Sequence, residues 1–205
     1  KRAVILLFLC IKKFHTLVTE YWPRIVSGIL DNNSSVRCTT ASVVAEFSYD
    51  SSFDYNIITD DLISLLQTSS NNWMLIKILK ILSRVSLTSK QLRTIETRIL
   101  VLFQGTSAFS LMFECIRFSC ICLHKSTRVI DACAQKLRKY LNHADYNLQY
   151  MSICVLRDMI TVDREFVVSL RNDISALFVS KDLSIRYESI ELFSLLAFYI
   201  VNHVG

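Results

Sequence analysis

The chain has 205 residues, 52% of them apolar, with only 3 glycines and 1 proline. So few residues suited to positive φ or to sharp strand reversals argue against a β-rich fold. The net charge of +5 comes from 23 basic and 18 acidic residues scattered along the chain, which argues against a nucleic-acid-binding face and leaves at most a weak attraction to anionic membrane surfaces.

The chain begins at Lys1 without a methionine and reads as a piece of something longer. Its longest unbroken apolar run, Ala3–Ile11, falls short of the roughly 20 residues that a membrane-spanning helix needs. No small-residue cleavage site follows that run, which sets a signal peptide aside. Without a secretory signal the glycosylation sequons at Asn32 and Asn33 are discounted. The seven cysteines (Cys10, Cys38, Cys115, Cys120, Cys122, Cys133 and Cys154) are odd in number and lie within apolar runs. They read as small buried hydrophobes of a reducing compartment.

The first helix is predicted over Arg2–Phe14, the second half of a repeat cut by the fragment boundary. A pair follows at Tyr21–Leu30 and Ser34–Phe47. Pro23 fits the first turn of its leading helix, and Asp31-Asn32-Asn33-Ser34 supplies turn and cap chemistry before the second. The next pair is Tyr55–Gln67 and Asn72–Ser86, with Asp60 and Asp61 as an acidic first turn. Ser89–Phe103 and Ser107–His124 come third, with Ser89 as an N-cap and Gly105 as a helix stop. The fourth pair is Arg128–Asn142 and Asp145–Thr161, and the fifth is Asp163–Val179 and Asp182–Val204. Asp145, Asp163 and Asp182 read as caps.

Val36, Trp73, Phe109, Leu148 and Ile185 each open the second helix of a pair, at intervals of 36 to 39 residues. Such a period means stacked helix pairs, each burying its apolar face against its neighbours. The predicted fold is all-α, a HEAT- or armadillo-like solenoid of five antiparallel helix pairs plus a leading helix. Residues 1–205 form one continuous right-handed segment in this reading. The five periodic residues are its structural anchors, and a buried Trp73 predicts a loss of about 3–5 kcal/mol on truncation to alanine.

No constellation for chemistry stands out. Cys120-Ile121-Cys122-Leu123-His124 places Cys120 and His124 on one helix face and turns Cys122 away, two ligands short of a zinc site. His143 with Asp145 reads as a solvated histidine beside a capping carboxylate. Three glycines, at 28, 105 and 205, cannot build a phosphate loop. No catalytic, cofactor-binding or metal-ligating residue is expected. The i,i+3 pairs Lys77 with Lys80 and Lys136 with Lys139 each project from one helix face. They are either solvated or a basic patch for a partner or an anionic lipid headgroup.

Specific stretches go further. The segment Ser69-Ser70-Asn71-Asn72-Trp73-Met74-Leu75-Ile76-Lys77-Ile78-Leu79-Lys80 resembles the large adaptin subunits of clathrin-type adaptor complexes. Thr106-Ser107-Ala108-Phe109-Ser110-Leu111-Met112-Phe113-Glu114-Cys115-Ile116 is similar to the next repeat of that trunk. Gln135-Lys136-Leu137-Arg138 with Asp145-Tyr146-Asn147-Leu148-Gln149-Tyr150 is similar to the one after. Lys181-Asp182-Leu183-Ser184-Ile185-Arg186, Lys1-Arg2-Ala3-Val4-Ile5-Leu6 and Pro23-Arg24 fit in order.

The resemblance implies part of an N-terminal trunk that cradles a sigma-type small subunit and assembles with a second large and a medium subunit. It implies recruitment by an Arf-class small GTPase to Golgi or endosomal membranes, peripheral attachment through the complex, and cargo sorting toward the vacuole or lysosome. It brings no catalytic residue. The alternative is another helical-repeat transport factor, a nuclear import receptor or a coat subunit, binding a peptide or a small GTPase.

Overall fold

The computed structural model describes residues 1–48 and 53–202, the last four by backbone alone. Among these residues the secondary structure is entirely helical: α1 (Arg2–Lys13), α2 (Val18–Val26), α3 (Ser34–Phe47), α4 (Asn56–Thr68), α5 (Asn72–Leu82), α6 (Ser89–Gly105), α7 (Phe109–Cys122), α8 (Thr127–Leu141), α9 (Tyr146–Met159), α10 (Arg164–Ser169), α11 (Arg171–Ala176) and α12 (Leu183–Asn202). Taken in order, with α10 and α11 together filling one place, they form the leading helix and five pairs of a helical-repeat fold. The chain divides into two compact units, Lys1–Arg98 and Ile99–Gly205, with the division inside α6.

The second helix of each pair starts at a shared kind of joint. Asn33 and Asn71 accept hydrogen bonds from the backbone N–H groups of Ser35 and Met74, at 2.9 and 3.1 Å. Asp145 accepts from Asn147 at 2.8 Å, and Asp182 accepts from Ser184 and Ile185 at 2.9 and 3.1 Å. Ala108 holds the same place before α7 without a side-chain cap. These caps satisfy N–H groups that a helix start would otherwise leave unpaired. They fall at 33, 71, 108, 145 and 182, a spacing of 37 or 38 residues that is more regular than the apolar column read from sequence.

Counting from the caps corrects that column. Three residues past each cap come Val36, Met74, Leu111, Leu148 and Ile185; Val36 is half-buried and the other four are buried. Trp73 and Phe109 lie two and one residues past their caps, and are 58% and 45% exposed. They are not core anchors. A step of one residue turns a side chain by about 100° around a helix, enough to carry it from the core to the surface. Seven residues past each cap, Thr40, Ile78, Cys115, Ser152 and Ser189 are fully buried. The polar members use helix carbonyls where they can: Ser152 Oγ donates to Leu148 O at 2.8 Å.

Each unit has two layers of helices. In the first, α1, α3 and α5 pack side by side, with α2 against α3 and α4 against α5. Between α4 and α6, Gln91 donates to Asp60 at 2.7 Å and Arg98 donates to Leu66 O and Ser69 O at 3.0 and 2.9 Å. Arg98 thus serves carbonyls at the end of α4 that have no partner within the helix. In the second unit, α7, α9 and α12 form one layer and α8 packs on α9. Arg138 of α8 and Asn142, the cap at its C-terminal end, meet Asp173 of α11 at 3.0 and 2.9 Å. Trp22 anchors the first core at 4.5 Å from Phe53 and 5.4 Å from Tyr55 between ring centroids.

Several predicted boundaries move. A 3₁₀ turn at His15–Leu17 leads straight into α2, so the helix starts at Val18 and Pro23 lies inside it rather than in its first turn. Asp60 and Asp61 sit in the second turn of α4, which begins at Asn56. Thr88, not Ser89, caps α6: its Oγ1 accepts from Gln91 N at 3.3 Å while Gln91 Oε1 accepts from Thr88 N at 2.9 Å, a reciprocal capping box. Gly105 ends α6 without a positive φ. The single helix predicted over Asp163–Val179 is broken at buried Leu170, where Ser169 Oγ takes the Phe166 carbonyl at 2.6 Å in competition with the backbone. α5 stops at Leu82, short of Ser86, as Ser83 Oγ takes the Lys80 carbonyl at 2.8 Å. Val204, the predicted end of α12, lies outside the described residues.

Candidate interaction surfaces

A groove lies beside the capped helices in each unit. In the first unit, α1, α3 and α5 enclose about 610 Å³ between Phe8 and Lys12, the hydroxyls of Ser35, Thr39 and Ser42, and the pair Trp73 and Lys77. Trp73 is held in place. Its Nε1–H donates to Ser42 Oγ at 3.3 Å, and the Lys77 ammonium lies 4.9 Å from the ring centroid. Such a cation over an indole face is worth about 0.5–1 kcal/mol at an exposed site. Lys12 pairs with Glu46 across the groove at 3.8 Å, with both side chains mostly exposed. The groove is therefore aromatic and hydroxylated, and its lysines outnumber its one carboxylate.

The second unit carries a groove of about 560 Å³ between the starts of α9 and α12. Tyr146, Tyr150 and Tyr187 line it with Leu183, and its charged groups are Asp182 and Glu188. Glu188 pairs with Arg157 at 2.8 Å, and Arg157 also faces Glu191 at 3.7 Å. Repulsion from Cys154 and then from Glu188 raises the Tyr150 hydroxyl above its ordinary pKa.

The residues singled out from sequence separate into different settings. Lys77 lines the first groove. Lys80 is half-buried one turn further along α5, Lys136 is half-buried on α8 and Lys139 is exposed there. Lys80, Lys136 and Lys139 are not among the residues lining either groove. His143 Nδ1 accepts from Asp145 N at 3.0 Å, and its ring lies 6.4 Å from that of Phe109. Phe109 is instead stacked edge-on to Tyr140 at 5.7 Å.

The cysteines also divide. Cys115, Cys120 and Cys133 are buried, Cys38, Cys122 and Cys154 are half-buried, and Cys10 is exposed, against the expectation that all are buried. A hydrogen bond to Cys133 and burial raise the Cys120 thiol, and burial pushes Cys122 up to about 11. His124 is exposed, with Nδ1 at 3.2 Å from Ile121 O. Among the described residues no group of three or more His, Cys, Asp or Glu side chains comes together as a metal-ligand set, and no helix is long and apolar enough to cross a membrane.

The tyrosine groove was missed in the sequence. Its signal is positional: Tyr150 and Tyr187 each stand five residues past a capping aspartate, Asp145 and Asp182. That alignment becomes visible only once the caps set the register.

Helix pairs in a capped rhythm of 37 or 38 residues, with outward aromatic and charged grooves, define the class as a helical-repeat protein. Residues 1–198 match the adaptin N terminal region, and the chain belongs to that family. Among its relatives is the AP-3 complex subunit delta of Schizosaccharomyces pombe, 30% identical over 200 residues, which cover 94% of this chain and 24% of that protein. The AP-3 complex subunit delta of Saccharomyces cerevisiae is 27% identical over 200 residues, covering 94% and 21%. The chain thus spans about a quarter of the length of these relatives. In structure it is similar to a chain of a homology model of the full-length AP-3 complex in an intermediate open conformation. The TM-score there is 0.64 at 24% identity, over 87% of this chain and 32% of that one, a likeness of fold.

Proposed function

We propose that the chain is part of the trunk of a non-enzymatic scaffold subunit in a vesicle-coat adaptor complex. In this reading the complex sorts cargo and carries protein from Golgi or endosome toward the vacuole or lysosome. The observation that carries the reading is the adaptin match over residues 1–198. Its partners are a sigma-type small subunit, a medium subunit and a second large subunit, with an Arf-class small GTPase recruiting the assembly. Membrane attachment is peripheral and made through the complex.

We read the two units as successive parts of one repeat series, because the cap spacing is unchanged through residues 71, 108 and 145. Of the four candidate lysines, Lys77 is the one we assign to a subunit contact. It stands beside an exposed, hydrogen-bonded tryptophan in a groove, and tryptophan is enriched among residues that dominate binding energy.

Affinity purification of the full-length protein under mild conditions tests the reading. Recovery of small, medium and second large adaptor subunits in stoichiometric amounts supports it. Recovery without any small or medium adaptor subunit overturns it, and a nuclear GTPase in their place points to an import receptor.

A further inference from the structure

The tyrosine groove of the second unit has a chemistry of its own. Tyr146, Tyr150 and Tyr187 are 43%, 37% and 67% exposed, and Leu183 stands out beside them at 71%. Tyrosine gives large, stiff contact area, and its ring face attracts cations. The charged lining residues are both carboxylates, Asp182 and Glu188.

Two features could have offset that negative charge, and each is already engaged. The helix starts at α9 and α12 would favour an anion, but Asp145 and Asp182 already accept the first-turn N–H groups there. Arg157 approaches Glu188, yet it is shared with Glu191, so two carboxylates face one guanidinium.

We propose that this groove docks an arginine-bearing, otherwise apolar segment of a protein partner, its guanidinium stacked on the tyrosine rings and directed at the Asp182 and Glu188 carboxylates. Arginine suits the site better than lysine, because a planar guanidinium can stack on a ring and bridge a carboxylate with two N–H donors at once. An anionic headgroup is disfavoured by the same carboxylates. The inference stands apart from the adaptor reading, since co-purification of adaptor subunits can succeed or fail whatever this groove binds.

The test uses the full-length protein and a fluorescein-labelled peptide of repeating leucine, arginine and glycine, beside a counterpart with glutamate in place of arginine. Fluorescence anisotropy is predicted to show the arginine peptide binding at least about tenfold tighter than the glutamate peptide. Tyr187→Ala weakens it by roughly tenfold and Tyr187→Phe retains it, because the ring face rather than the hydroxyl makes the contact. Equal binding of the two peptides, or unchanged affinity in a folded Tyr187→Ala protein, overturns the proposal. A photoreactive arginine peptide on the wild-type protein decides independently of any variant's folding. Adducts within residues 146–188 support the site, and adducts elsewhere or none refute it.

Discussion

The two grooves lie beside the same kind of capped helix and carry opposite chemistry. In the first unit the residue two past the Asn71 cap is Trp73, and a lysine four residues on lies over its ring. In the second unit tyrosines follow the Asp145 and Asp182 caps, and the carboxylates of Asp182 and Glu188 are among the lining groups. Beneath both, the third residue past the cap is buried: Met74 in one, Leu148 and Ile185 in the other. Distance from the cap decides what must be apolar, because it sets which helix face meets the neighbouring helices. The outward positions are released from that demand, so a repeat fold can present a basic aromatic groove and an acidic aromatic groove on one framework.

The largest effect is predicted at the buried positions that both units share. Leu148→Ala removes a buried side chain at the third position and is predicted to cost about 2–5 kcal/mol in urea unfolding. A loss below about 1 kcal/mol would mean that the column does not carry the second core.

A smaller effect is predicted at Gly28 in the first unit. A Cβ there would stand 2.6 Å from Thr40 Oγ1, and Thr40 is fully buried at the seventh position. Gly28→Ala should therefore lower stability by about 1–3 kcal/mol through overpacking. An unchanged melting temperature would show that α3 can shift away at little cost.

Asn71 and Asp182 cap helices in different units by the same kind of hydrogen bond. Asn71→Ala and Asp182→Ala should each cost about 0.5–2 kcal/mol, and by similar amounts. If only one matters, the two joints are not equivalent. The smallest effect is predicted at Gly105, where an added Cβ meets nothing within 4 Å and the backbone needs no positive φ. Gly105→Ala should raise stability by about 0.4–1 kcal/mol by restricting the unfolded chain, read as a higher urea midpoint.

The helical class, the five pairs and many helix starts were legible in the sequence, because caps and apolar period are local signals. Asp145, Asp163 and Asp182 act as the caps they resemble. The register was harder to read. Before α7 the cap position is Ala108, which has no polar side chain to mark it, and Phe109 drew the column two residues early. Trp73 drew it one residue early, since a large aromatic ring suggests a core anchor while its indole N–H and ring face are satisfied at the surface by Ser42 and Lys77. The broken helix around Leu170 depends on Ser169 bonding a carbonyl in its own turn, a choice that periodicity does not reveal. The grooves were illegible because each joins helices from different repeats.

Distance from the cap, rather than side-chain bulk, sets which residue is core. Equilibrium urea unfolding of Met74→Ala beside Trp73→Ala tests it within one helix turn. Met74→Ala is predicted to lose about 2–5 kcal/mol, and Trp73→Ala, which gives up an exposed ring, one hydrogen bond and one cation contact, about 1 kcal/mol. The reverse order, with Trp73→Ala the more damaging, would contradict the account.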